Sequence, residues 1–139
     1  MKKFFVVCIS VFALTTCKKY EEGPFVSFRS AEERVANDWR IEKYYDDGVE
    51  QSLSDEDKNT KYTFTKDGKL TIIVPSQLGN LTINGNWYFT DSKKKLVMAI
   101  NFLGNTETYT YKILKLKENE MWLKDEEEND EIHFIPYNK

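Results

Sequence analysis

Between residues 39 and 137 the side chains change character at every second position, in eight separate runs. Trp39, Ile41, Lys43 and Tyr45 alternate with Arg40, Glu42 and Tyr44, and Tyr62 and Phe64 alternate with threonines. Leu70, Ile72 and Val74 run up to Pro75, and Trp87 and Phe89 share one face of the segment 81–90. Leu96, Met98, Ile100 and Phe102 form the next run, followed by Tyr109, Tyr111 and Ile113 within 106–117. Segments 120–124 and 132–137 complete the series. A period of two is that of a half-buried β-strand. The connections are too short for crossover helices, so strands adjacent in sequence pair antiparallel. A long meander removes its exposed edges by closing on itself. The expected fold is therefore all-β, an eight-stranded antiparallel up-and-down barrel, large enough for a filled core or for one small ligand.

Local signals punctuate this pattern. Ser30-Ala31-Glu32-Glu33 is a capping box, so a short helix ending near Asn37 precedes the first strand, with Ala31 and Val35 on one face. Asp47-Gly48 and Asp67-Gly68 read as hairpin turns. Residues 52–59 read as a loop or one helical turn, and Asn84-Gly85 as a bulge or an extra tight turn. Leu114 and Leu116 fall out of phase with Ile113, which predicts a bulge in the long strand.

The first residues form an address. Met1-Lys2-Lys3 is followed by eleven uncharged residues, Phe4 to Leu14, too few to span a bilayer and suited to a secretory signal. Leu14-Thr15-Thr16-Cys17 resembles the lipobox of bacterial lipoproteins, with Thr16 departing from the small residue usual before the cysteine. Cys8 lies within the signal, so a processed chain keeps one thiol and no internal disulfide. The resemblance implies acylation of Cys17, and multiple acyl chains hold a protein stably at a membrane. Residues 18–24 carry charged side chains and end at Gly23-Pro24, a tether between membrane and domain. Lys18-Lys19 and the acids after them resemble signals that export such lipoproteins to the cell surface. The expected organisation is a signal peptide at 1–16, a lipidated tether at 17–29 and a barrel domain at 30–139. Localisation is expected in the cell envelope at the outer membrane, facing the periplasm or the surface.

Trp39 directly after a short helix resembles the lipocalin (calycin) arrangement. Together with Leu14 to Cys17, Ser30 to Trp39, Tyr62 to Gly68 and Gly85 to Phe89 followed by Asp91 to Leu96, the chain resembles the small lipocalin-like lipoproteins of Bacteroidota. Asn37 stands where lipocalins place glycine. The resemblance implies that Trp39 plugs one barrel end and does not touch a ligand.

Catalytic signals are sparse. His133 is the sole histidine and alternates with Ile132 and Phe134, as a polar-face strand residue would. Without a second histidine or a free thiol a nitrogen–sulfur zinc site is not available, and no phosphate loop or nucleophile elbow occurs. No enzyme activity, metal or cofactor is therefore expected. A net charge of −3 argues against nucleic acid as a partner. The run 125–131 places six carboxylates in seven residues, without the spacing of a calcium loop, and reads as a solvated hairpin tip. The strand aromatics Tyr62, Phe64, Trp87, Tyr109, Tyr111 and Trp122 are the candidate ligand-binding residues, against the plainer reading that they fill the core. The expected function is non-catalytic binding of a small hydrophobic or amphipathic ligand. The alternative is a structural lipoprotein with a filled barrel that docks an envelope protein.

Overall fold

A computed structural model describes residues 28–139. The expected signal peptide, Cys17 and most of the expected tether lie outside the described residues. The chain runs through helix α1 (Ala31–Val35), strands β1 (Asp38–Asp46) and β2 (Val49–Gln51), helix α2 (Asp55–Asn59) and strands β3 (Lys61–Phe64) and β4 (Lys69–Val74). It continues through β5 (Leu81–Thr90), β6 (Lys95–Phe102), β7 (Asn105–Leu116), β8 (Met121–Lys124) and β9 (Asp130–Pro136). Each expected strand is present, and each pairs antiparallel with its neighbour. Pairing of β1 with β9, from Trp39↔Pro136 to Asp46↔Asp130, closes an eight-stranded barrel. The short β2 extends β1 as a hairpin through Asp47-Gly48, where both residues have positive φ, as the primed two-residue turns require.

The barrel is sealed at one end and open at the other. Ser30 accepts from the Glu33 amide while Glu33 reaches back to the Ser30 amide, so the short α1 starts cleanly. Its polar side chains tie it to the three turns at the sealed end. Glu32 meets Lys93, Glu33 meets Lys66 at 3.2 Å, and Arg34 donates to the Leu116 carbonyl at 2.7 Å. Beneath it Trp39 is fully buried and donates its indole N–H to the Val35 carbonyl at 2.8 Å. Val35, Phe64, Leu70, Trp87, Leu96, Leu116 and Met121 pack into the same buried cluster.

Two phase breaks set which side chains face inward, since residues paired across a ladder share a face. The bulge expected near Leu114 is present, the register shifting between Ile113 and Lys115. A second, between Ile41 and Lys43, overturns the alternation read for the first strand. Glu42 is the extra residue, so Tyr44 pairs with inward Ile132, while Lys43 and Tyr45 turn outward. The expectation at Asn84-Gly85 is also corrected: β5 continues through it without bulge or turn, with Gly85 opposite Leu70 and Ile100. A Cβ on Gly85 would lie 2.2 Å from the Ala99 carbonyl oxygen, so this glycine permits close approach of two strands.

Candidate functional site

The inner wall changes character along the barrel. Near α1 the inward residues other than Phe89 are buried, whereas toward the other end Ile41, Tyr62, Val74, Ile83, Ile100, Tyr111 and Ile132 are only partly buried. Inward Tyr109 is 37% exposed. These partly buried aliphatic residues and tyrosines of the inner wall define the candidate recess.

The six candidate residues separate accordingly. Phe64 and Trp87 are 2% and 4% exposed and meet edge to face at 6.0 Å, with Phe89 against Trp87 at 5.4 Å. The Trp87 indole donates to the Thr65 carbonyl at 2.8 Å, so both rings belong to the packed end. Tyr62 and Tyr111 stand higher on the inner wall, Tyr62 edge-on to Phe134 at 5.2 Å. Tyr109 stands at the mouth and its hydroxyl donates to Glu107. Trp122 pairs with His133 and with Lys115 on the outer face. There it stacks on the His133 ring at 4.0 Å, with the Lys115 ammonium 4.0 Å from its own ring centre. His133 is thereby 7% exposed, its other neighbours being Tyr45 at 5.1 Å and the Glu131 carboxylate at 2.6 Å.

Sequence reasoning missed Tyr44. The Glu42 bulge turns it inward, and its hydroxyl donates to Asp130 at 2.7 Å. The one available signal was Lys43, a cation standing on what looked like the apolar parity of that strand. Four tyrosines thus face the recess, and they differ in what their hydroxyls do. Tyr44 is held protonated up to about 12 by its bond to Asp130, and Tyr109 is raised by its bond to Glu107. Tyr62 is pushed up to about 12 by burial, and burial likewise raises Tyr111, with Asp125 adding to the effect. Among the described residues neither the Tyr62 nor the Tyr111 hydroxyl has a hydrogen-bond partner. Both hydroxyls are carried, neutral, on inward-facing rings.

Charge is sorted between the two faces of the wall. Every lysine and arginine on the eight barrel strands occupies an outward register position, from Arg40 on β1 to Lys124 on β8. The ionisable carboxylates at inward positions are Asp46, Glu107 and Asp130, all toward the open end. Two uncharged stretches, residues 70–90 and 96–106, supply the opposite lip with Leu81, Phe102 and the turn leucines Leu78 and Leu103, which are 101% and 84% exposed. Among the described residues no group of three or more histidine, cysteine or carboxylate side chains is arranged to hold a metal, and no helix is long and apolar enough to cross a membrane. Compared with known proteins, the chain matches no family and no curated protein.

Proposed function

We propose that this protein is a lipid-anchored binding module that takes a small amphipathic molecule in the open half of its barrel and performs no covalent chemistry. The observation that carries this reading is that, among the described residues, the Tyr62 and Tyr111 hydroxyls have no hydrogen-bond partner where they stand among the inward aliphatic side chains. A buried hydroxyl without a partner costs roughly 1–3 kcal/mol, a cost that a ligand acceptor would cancel on binding. A few convergent polar groups in an apolar recess are the usual make-up of a small-molecule site. Titration with a neutral, environment-sensitive arylamine fluorophore tests it. Saturable enhancement that falls in Tyr62→Phe and Tyr111→Phe supports the reading, and no enhancement in the parent protein refutes it.

The lipoprotein half of the proposal rests on Lys2-Lys3, the uncharged run that follows and Cys17. Fatty-acid metabolic labelling should tag the parent chain and leave Cys17→Ser untagged; a tag persisting in the variant refutes it. Protease treatment of intact cells then separates a surface-facing domain, which is cleaved, from a periplasmic one.

Docking to an envelope protein is a second reading favoured by one observation. Leu103 holds a left-handed conformation, φ 49°, at a turn tip where asparagine would cost less, yet it is exposed and apolar. On this reading Leu78→Ser with Leu103→Asn abolishes recovery of a crosslinked envelope partner and leaves fluorophore affinity unchanged.

A further inference from the structure

We infer that the recess discriminates by charge, accepting amphiphiles with a cationic head and rejecting anionic ones such as fatty-acid carboxylates. This rests on the proposed function, since it specifies the ligand of that same site. Three observations carry it. The inner wall holds carboxylates and no cation, because both bulges and the strict alternation leave every strand lysine and arginine outside. Two of those carboxylates accept from inward tyrosine hydroxyls, part-buried Asp130 from Tyr44 and, at the exposed rim, Glu107 from Tyr109. The lip is two-sided, with uncharged Leu81, Phe102 and Leu103 on one side and the acidic β8–β9 turn on the other, which suits a molecule with an apolar body and a positive head.

The cations nearest the β8–β9 turn stand at outward register positions, Lys112 and Lys124 lining an outer cleft with Glu126, Asn129 and Glu131. Lys95 is engaged with Glu126 at 3.2 Å, in a cleft that four acidic residues of the β8–β9 turn line beside Tyr109. Lys58 of α2 lines a separate outer cleft with Glu42 and Glu50. A carboxylate ligand entering the recess would meet Asp130 and Glu107 with no inward cation beside them.

The test displaces the neutral arylamine probe with three single-chain amphiphiles of equal length, below their micelle concentrations, bearing a trimethylammonium, a hydroxyl or a carboxylate head. The expected result is that the ammonium compound binds at least about tenfold tighter than the carboxylate, with the alcohol between them. In Glu107→Gln/Asp130→Asn that gap should narrow severalfold. Equal binding of all three heads, or a preference for the carboxylate, overturns the charge selection and leaves the binding function standing. A gap that persists undiminished in the double variant also overturns it. Failure of all three to displace the probe, with no probe bound, overturns the binding function together with this inference.

Discussion

The Tyr62 and Tyr111 hydroxyls separate stability from binding, and the double variant Tyr62→Phe/Tyr111→Phe measures both. Replacing tyrosine with phenylalanine keeps the ring and its packing, including the Tyr62–Phe134 contact at 5.2 Å, and removes only the oxygen. A buried hydroxyl without a partner destabilises the folded state by roughly 1–3 kcal/mol. Both side chains are only partly buried, so water recovers much of that cost, and each change should stabilise by about 0–1 kcal/mol. For a domain of this size that is a rise in Tm of up to several degrees, on the order of 4–8 °C per kcal/mol. Binding should move the other way. Each hydroxyl bond to a ligand acceptor contributes about 0.5–1.5 kcal/mol, so losing both weakens affinity by roughly five- to a hundredfold. Urea unfolding followed by tryptophan fluorescence gives the first quantity and probe titration the second. Destabilisation by more than about 1 kcal/mol per site would show that the hydroxyls are paired within the folded chain. Unchanged affinity would show that they do not meet the ligand.

Three further outcomes follow from the packed end and from the tyrosines. Trp39→Ala removes a fully buried ring and its bond to Val35, and should cost about 3–5 kcal/mol in urea unfolding; a loss below about 1 kcal/mol would mean that α1 and Trp39 do not seal the barrel. Gly85→Ala drives a methyl to 2.2 Å from the Ala99 carbonyl oxygen, so a loss of about 1–3 kcal/mol or more is expected, and a neutral effect would contradict the close β5–β6 approach. Tyr44 and Tyr62 are raised to about 12 in the folded chain, above the ordinary tyrosine value. The folded chain disfavours their phenolates, so stability is unaffected below the ordinary tyrosine range and falls as pH rises through about 12. Phenolate absorbance should rise in two steps, exposed tyrosines first and Tyr44, Tyr62 and burial-raised Tyr111 with alkaline unfolding; a single step at the ordinary value would refute the burial and the Asp130 bond.

Much of the fold was legible because strand and helix periods are local. Trp39, Phe64, Leu70, Leu96 and Phe134 could be placed on a buried face from alternation alone, and Ser30 with Glu33 marked the helix start. What failed failed for tertiary reasons. Asn84-Gly85 has the composition of a turn, yet Gly85 is there because Ala99 of the neighbouring strand crowds the position a Cβ would take. A turn was instead built at Leu103-Gly104, whose first residue is no turn former although its φ is positive. The Glu42 bulge was invisible because a one-residue slip leaves composition untouched while it exchanges the faces of Tyr44 and Tyr45. The candidate site inherited that limit. Aromatic residues on strands could be named, but whether a ring packs (Trp87), faces a recess (Tyr62, Tyr111) or stacks outside (Trp122 on His133) depends on which strands meet and at what depth.

Native mass spectrometry of the protein taken from its own cell envelope, then repeated after addition of the ammonium amphiphile, addresses the binding claim most directly. The account predicts a reproducible extra mass that is lost on denaturation, or uptake of one amphiphile per chain that Tyr62→Phe/Tyr111→Phe weakens. A bare mass that takes up no amphiphile would contradict it and leave a filled, partner-docking barrel.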